Sequence, residues 1–176
     1  MRYLAVILIL LAISPILYAA ETSVVLDCCV ILNHPTNQSA ESMGAIFFDI
    51  PDSLLGKEIL YAELAFPLSL QALNDSSLYE FMVFPAIDEW SGETIDFEEA
   101  EELLDSLMAG SYAIRLTNQS EFHIDITNFV SEIAGELRSN YGLIAVTDLL
   151  GDNNIRLPSN TGNAIKNNAS VRIVYK

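Results

Sequence analysis

Residues 121–146 read EFHIDITNFVSEIAGELRSNYGLIAV and change their hydrophobic period twice. Apolar and polar residues alternate over 121–126, as in a half-buried strand, and 143–146 is strand-like again. Between them, 127–138 has the apolar spacing of an amphipathic helix. The residues at that spacing are Phe129, Val130, Ile133, Ala134 and Leu137. The stretch therefore predicts a strand, a helix capped by Thr127, and a second strand, with the apolar stripe of the helix covering one end of a β-sheet core.

The rest of the chain is rich in strand-like segments separated by polar turn clusters, a rhythm typical of a sandwich or barrel. The predicted strands are 24–32, 44–50, 57–70, 79–85, 94–97, 112–116, 121–126, 142–146, 155–157 and 170–175. A second short helix is predicted after Asp96, which is followed by Glu99 as in a capping box and by Leu103, Leu104 and Leu107 on one side. The pattern predicts an all-β, antiparallel fold with one or two short helices in the connections.

The first 20 residues have the pattern of a secretory signal peptide. Arg2 supplies a positive start, residues 4–17 are mostly apolar, and Ala19 and Ala20 offer small side chains at a cleavage point. An uncleaved N-terminal anchor is the alternative. Cleavage predicts a secreted or cell-surface protein without membrane contact, with residues 21–176 forming a single domain that can bury its own core.

Charge and cysteine content exclude several classes of protein. The formal net charge of −16 predicts repulsion from nucleic acid and from anionic lipid. Cys28 and Cys29 are neighbours on a strand, so they point to opposite faces and do not bridge each other. One is expected in the core and the other outward, where an intermolecular disulfide is the alternative. With only two distant histidines, the chain has no zinc pattern.

A series of motifs along the chain has the order found in a known family. The segments are Asp27 with 33–38, AIFFDI at 45–50, 59–70, DEWSGETI at 88–95, DIT at 125–127, NYGL at 140–143 and 170–175. In this order they resemble the DNRLRE domains, secreted β-sandwich domains related to carbohydrate-binding module family 96. The acidic segment 98–110 departs from the family, which usually has a short loop there. The resemblance implies a jelly-roll-like sandwich in a non-catalytic accessory module, of a kind that in some members binds polysaccharide.

Carbohydrate binding requires flat aromatic faces against sugar C–H groups, with polar groups at the rim. Trp90, the only tryptophan, lies beside two acidic residues in a predicted turn. The ligand-binding candidates are Trp90, Tyr61, Tyr112 and Tyr141. The alternative is that Trp90 and Tyr141 only pack the sandwich, because both belong to fold motifs of the family.

Calcium is the one cofactor that the sequence suggests, because the ion takes several carboxylate and carbonyl oxygens from loops and strand ends. Asp27, Asp49 and Asp125 are strand positions expected to converge, and Asp148 with 152–154 forms a loop cluster. No EF-hand spacing is present. The alternative is that these carboxylates form a solvated acidic face.

No catalytic constellation is apparent, because His123 lies on a strand face with carboxylates and without an assigned nucleophile. The sequence therefore predicts a non-enzyme: a secreted β-sandwich module that binds polysaccharide or another glycan at the cell surface or in the matrix. The alternative is a structural or adhesive subunit that self-associates through exposed sheet edges or the outward cysteine.

Overall fold

The computed structural model describes residues 19–33, 42–66, 78–115, 122–149 and 169–176. Within these ranges the chain is mostly β, with two short helices, neither of them long and apolar enough to cross a membrane. The strands are β1 Ala20–Val25, β2 Cys28–Asn33, β3 Ser42–Phe47, β4 Ile59–Phe66, β5 Leu78–Pro85, β6 Gly110–Arg115, β7 Phe122–Asp125, β8 Leu143–Leu149 and β9 Ser170–Tyr175. The helices are α1 Phe97–Glu102 and α2 Thr127–Ala134.

The strands form two antiparallel sheets. Sheet A has the order β1-β9-β4-β7, and sheet B has the order β2-β3-β8-β5-β6. The antiparallel pairs enclose one another along the chain, which is the connectivity of a jelly roll: β5–β6 is the innermost pair, followed outward by β4–β7, β3–β8 and β1–β9. β2 is an additional strand at the edge of sheet B, paired with β3. The predicted all-β, jelly-roll-like sandwich is confirmed.

The main core lies between the two sheets and contains side chains from both. Sheet A contributes Leu64 and Ile173, and sheet B contributes Ile46 and Leu143, all of them buried. In β9 the buried residues Val171 and Ile173 alternate with more exposed neighbours, as expected for a strand with one face on the core.

A second apolar cluster covers the outer face of sheet B. Met43 and Ala45 of β3 and Ile144 of β8 pack there beneath Phe97 and Ala100 of α1. Sheet B is therefore buried on both faces over β3 and β8, which explains why these strands are apolar at nearly every position.

Helix α2 is present between β7 and β8, as predicted, and Phe129, Val130 and Ile133 enter the main core. The prediction that it extends to residue 138 and buries Leu137 is wrong, because the helix ends at Ala134 and Leu137 is 82% exposed. Glu136 takes a positive φ of 57°, and the amide of Leu137 donates to the carbonyl of Glu132. This is the bonding pattern of a Schellman motif, which turns Leu137 into solvent.

The start of α2 is tied to sheet A by backbone and side-chain hydrogen bonds. Thr127 is the first helical residue rather than the cap, and its hydroxyl accepts from the amide of Ala62 at 2.9 Å. The Asp125 carboxylate accepts from the Thr127 amide at 2.9 Å and from its hydroxyl at 2.6 Å. The Ile126 amide donates to the carbonyl of Ala62 at 2.9 Å, so the helix is anchored to β4 before its apolar face reaches the core.

The region 94–97, predicted as a strand, is not a strand: residues 94–96 lead into α1, and Phe97 is the first residue of that helix. Asp96 caps the helix by accepting from the amide of Glu99 at 2.9 Å, so the predicted cap is confirmed. Helix α1 ends at Glu102, and Leu107, expected on its apolar side, is 71% exposed. The predicted strand 155–157 lies outside the described residues.

Replacing Ile133 with alanine is expected to lower the free energy of unfolding by about 2–4 kcal/mol, because it removes buried volume from the core. Leu137→Ala is the matched control and is expected to change it by less than about 0.5 kcal/mol, because the side chain is exposed. Urea denaturation measures both. A loss of similar size in the two variants would contradict the observed helix end.

Glu136→Gly is expected to raise the free energy of unfolding by about 0.5–1 kcal/mol, because glycine adopts a positive φ without the steric cost that glutamate bears. Glu136→Ala is the control, because it removes the same side chain but keeps a Cβ at the positive φ, so it carries no such gain. Thermal unfolding of the two variants provides the comparison, and a destabilised Glu136→Gly protein would refute this account of the helix end.

Candidate functional site

A pocket of about 350 Å³ opens where strands β2 and β3 meet the loops before α1 and β8. Its lining residues are Cys28, Phe47, Glu89, Trp90, Gly92, Asn140 and Tyr141. Cys28 and Phe47 are paired across β2 and β3 and form the floor of this Trp90 pocket. The pocket therefore combines aromatic rings with carboxylate, amide and phenol groups.

Trp90 is held by two directional contacts. Its Nε1 donates a hydrogen bond to the Tyr141 carbonyl oxygen at 2.6 Å, and its ring meets that of Phe47 edge to face, with centroids 6.5 Å apart and planes at 84°. The ring packs against the outer cluster but is only partly buried. An aromatic surface with a fixed orientation is thus available at the pocket.

The turn at 140–142 forms one wall of the pocket, and each of its residues has a distinct role. The Asn140 side chain donates to the Phe48 carbonyl at 2.7 Å and accepts from the Gly142 amide at 3.2 Å. Gly142 has a φ of 84° and lies so close to the Ile46 carbonyl that a Cβ would collide with it. This turn presents the Tyr141 side chain at the pocket.

The structure brings together two of the four predicted ligand-binding residues, Trp90 and Tyr141. Tyr61 lies in sheet A, away from the sheet B strands that line the pocket. Tyr112 lies on β6, and its side chain is outside the described part of the chain. Trp90 and Tyr141 also pack against the outer cluster, as the alternative interpretation predicts.

Five of the lining residues were not among the predicted ligand-binding residues, namely Cys28, Phe47, Glu89, Gly92 and Asn140. Phe47 could have been identified, because it follows Ile46 in β3 and so points to the opposite face. Cys28 is half-buried and Cys29 is buried, which matches the expectation that one cysteine lies in the core. Gly92 packs directly against the Cys28 sulfur, a contact that no local pattern predicts.

The three aspartates proposed as metal ligands separate into two places. Asp27 and Asp49 are adjacent, because the Asp27 carboxylate accepts from the Asp49 amide at 2.8 Å. Asp125 binds Thr127 at the start of α2 instead. Among the described residues no group of three or more carboxylate, histidine or cysteine side chains has the geometry to hold a metal ion. The side chain of Asp148 and residues 152–154 lie outside the described residues.

The outer face of sheet A carries a polar cluster around Glu63, which is only 8% exposed. Glu63 lies 3.5 Å from His123 on β7 and 3.5 Å from Arg172 on β9. Arg172 also forms a two-pronged ion pair with Glu21 of β1 at 2.8 and 3.0 Å. The cluster links all four strands of the sheet and indicates an architectural role for His123.

A second, shallower depression of about 510 Å³ lies on the other side of Tyr141. Its lining residues are Ala86, Ile87, Glu132, Leu137, Arg138, Ser139 and Tyr141. Arg138 donates to Glu132 at 2.7 Å and to Asp105 at 2.8 Å. These carboxylates raise the pKa of Arg138, and Arg138 in turn lowers the pKa of Asp105. The guanidinium charge is therefore offset within the fold.

No protein-family model matches the chain, and no curated protein matches it. The geometry offers an oriented tryptophan, a neighbouring tyrosine and a polar rim at a concave surface.

The Tyr61 hydroxyl donates to Glu63 at 2.8 Å, and this hydrogen bond, with partial burial, raises the pKa of Tyr61 to about 12. Because the folded pKa exceeds the ordinary value of 10.0, the bond contributes stability that is fully present below pH 10 and is lost as the pH rises through about 12. Glu63→Gln is expected to lower the pKa of Tyr61.

Tyrosinate absorbance during a pH titration measures this shift. Tyr61→Phe should remove the ionisation near pH 12, whereas Tyr175→Phe, elsewhere in sheet A, should leave it in place. A high-pH ionisation that persists in Tyr61→Phe would show that another tyrosine is responsible.

Proposed function

We propose that this protein is a secreted, non-catalytic β-sandwich module that binds an uncharged carbohydrate at the Trp90 pocket. The observation that carries the proposal is the orientation of Trp90, whose Nε1 is bonded to the Tyr141 carbonyl while its ring remains partly exposed at a concave surface. A ring fixed before binding loses little conformational freedom when a sugar stacks on it.

The lining chemistry supports a carbohydrate ligand. The aromatic rings provide apolar surface for sugar C–H groups, and the Glu89 carboxylate provides oxygen atoms that can accept hydrogen bonds from sugar hydroxyls. The volume of about 350 Å³ is within the range of small-molecule sites. The resemblance to DNRLRE domains and the predicted signal peptide support the same function and a location outside the cell.

The charge of the protein supports an uncharged ligand. The chain has a formal net charge of −16, and Glu89 adds a carboxylate at the pocket itself. Anionic polysaccharides would be repelled unless a cation such as calcium intervened, so glycan binding must be tested with and without calcium.

Two features support a binding module rather than an enzyme. The histidine–carboxylate contact between His123 and Glu63 is in sheet A, whereas the floor of the Trp90 pocket is in sheet B. Glu63 is also engaged by Tyr61 and Arg172, which hold it in the cluster on the sheet face.

A structural or adhesive subunit remains the second candidate. β1 and β7 are the edge strands of sheet A, and β2 and β6 are those of sheet B. Val25 at the end of β1 is 70% exposed, which is the kind of apolar edge residue that favours strand addition.

A glycan array, with and without calcium, tests the proposed function, and calorimetry on the glycans that bind provides the affinities. Trp90→Ala is expected to weaken binding by about tenfold to a hundredfold, because it removes the stacking surface. Trp90→Phe retains a ring but lacks the indole donor, so it should retain part of the affinity.

Circular dichroism and thermal unfolding must show that both variants are folded, because Trp90 also packs against the outer cluster. Full affinity in a folded Trp90→Ala protein would overturn the assignment of the site. No binding to any glycan, combined with concentration-dependent assembly in light scattering, would support the structural or adhesive subunit instead.

A further inference from the structure

We infer that the carbohydrate site continues across Tyr141 into the depression beside Leu137, so that the preferred ligand is a glycan chain of several units rather than a single sugar. The inference rests on the proposed function and adds the class of ligand and a residue that determines chain-length preference. Tyr141 lines both the Trp90 pocket and this second depression, here called the Leu137 depression.

The turn that carries Tyr141 is tied to both sides of the surface. The Tyr141 carbonyl accepts from Trp90 Nε1 at 2.6 Å, and the next carbonyl, of Gly142, accepts from the amide of Ala86 at 3.0 Å. Ala86 and its neighbour Ile87 line the Leu137 depression. The two depressions therefore share one wall with a fixed backbone, and a chain bound across it meets a preorganised surface.

The Leu137 depression has the apolar surface that a second sugar unit would require. Leu137 is 82% exposed and Ile87 is 54% exposed, although both line a concave region. The exposure of Leu137 follows the positive φ of Glu136, and within the described residues Leu137 belongs to neither apolar cluster. Aliphatic side chains at a concave surface can cover the C–H face of a sugar ring.

The polar groups of the depression favour an uncharged ligand. Arg138 is held by Glu132 and Asp105 through Nε and Nη2, so two carboxylates offset its single positive charge. An anionic sugar therefore finds no uncompensated cation here, whereas the hydroxyls of a neutral sugar can bond to the exposed oxygens of Glu132. The Leu137 depression thus fits the same uncharged class of ligand as the Trp90 pocket.

Calorimetry with uncharged β-1,4-linked and β-1,3-linked gluco-oligosaccharides and with chito-oligosaccharides, each from the monosaccharide to the hexasaccharide, tests the inference. The affinity should rise at least about tenfold from the disaccharide to the tetrasaccharide and then level off, because longer chains occupy both depressions. Leu137→Ala and Ile87→Ser should remove this increase and leave the affinity for the shortest bound sugar unchanged. Trp90→Ala should weaken every length.

Leu60→Ala is the matched control, since Leu60 is an exposed leucine on β4 of sheet A and outside both depressions. Two results would overturn the second subsite and leave the proposed function standing. One is binding that depends on Trp90 but not on chain length, and the other is an increase in affinity with chain length that persists in Leu137→Ala. No binding of any oligosaccharide by the wild-type protein would overturn the proposed function and this inference together.

Discussion

The close approach of Gly142 to the carbonyl of Ile46 constrains both sheet B and the Trp90 pocket. It lets the chain leave the α2 region and enter β8 with its backbone pressed against the end of β3. From this position the Asn140 side chain donates to the Phe48 carbonyl, and the Tyr141 carbonyl accepts from the Trp90 indole. The same constraint therefore places a strand in the centre of sheet B and assembles the pocket beside that sheet.

The two sheets differ in how their outer faces are covered. Helix α1 and the segment after it cover sheet B with apolar side chains, so Met43, Ala45 and Ile144 are buried on the outer face where β3 and β8 pair. Sheet A has no such layer within the described residues, and its outer face carries Glu63, Arg172 and their partners. A buried glutamate between an arginine and a tyrosine hydroxyl keeps that face polar and specifies the alignment of its strands.

Features set by neighbouring residues were predictable from the sequence, whereas features that join distant residues were not. The apolar spacing of Phe129 and Ile133 predicted α2, and the Asp96 cap followed from local bonding. Leu137 has the same helical spacing but is exposed, because Glu136 adopts a positive φ that ends the helix, and hydrophobic periodicity does not show where that happens.

Asp27 and Asp125 were expected to converge and did not, because alternation places a side chain on a face but gives no information on which strands become neighbours. For the same reason the contact between Trp90 and Tyr141, 51 residues apart, was not foreseen.

The position of β9 between β1 and β4 has a consequence for how the protein forms during synthesis. Glu21 and Arg172 are 151 residues apart in the chain but form an ion pair across β1 and β9 in sheet A. While the chain emerges from the ribosome, β1 and β4 have no β9 to pair with, and each presents an unsatisfied edge. Sheet A can therefore be completed only after β9, which follows its other three strands in the sequence, has been made.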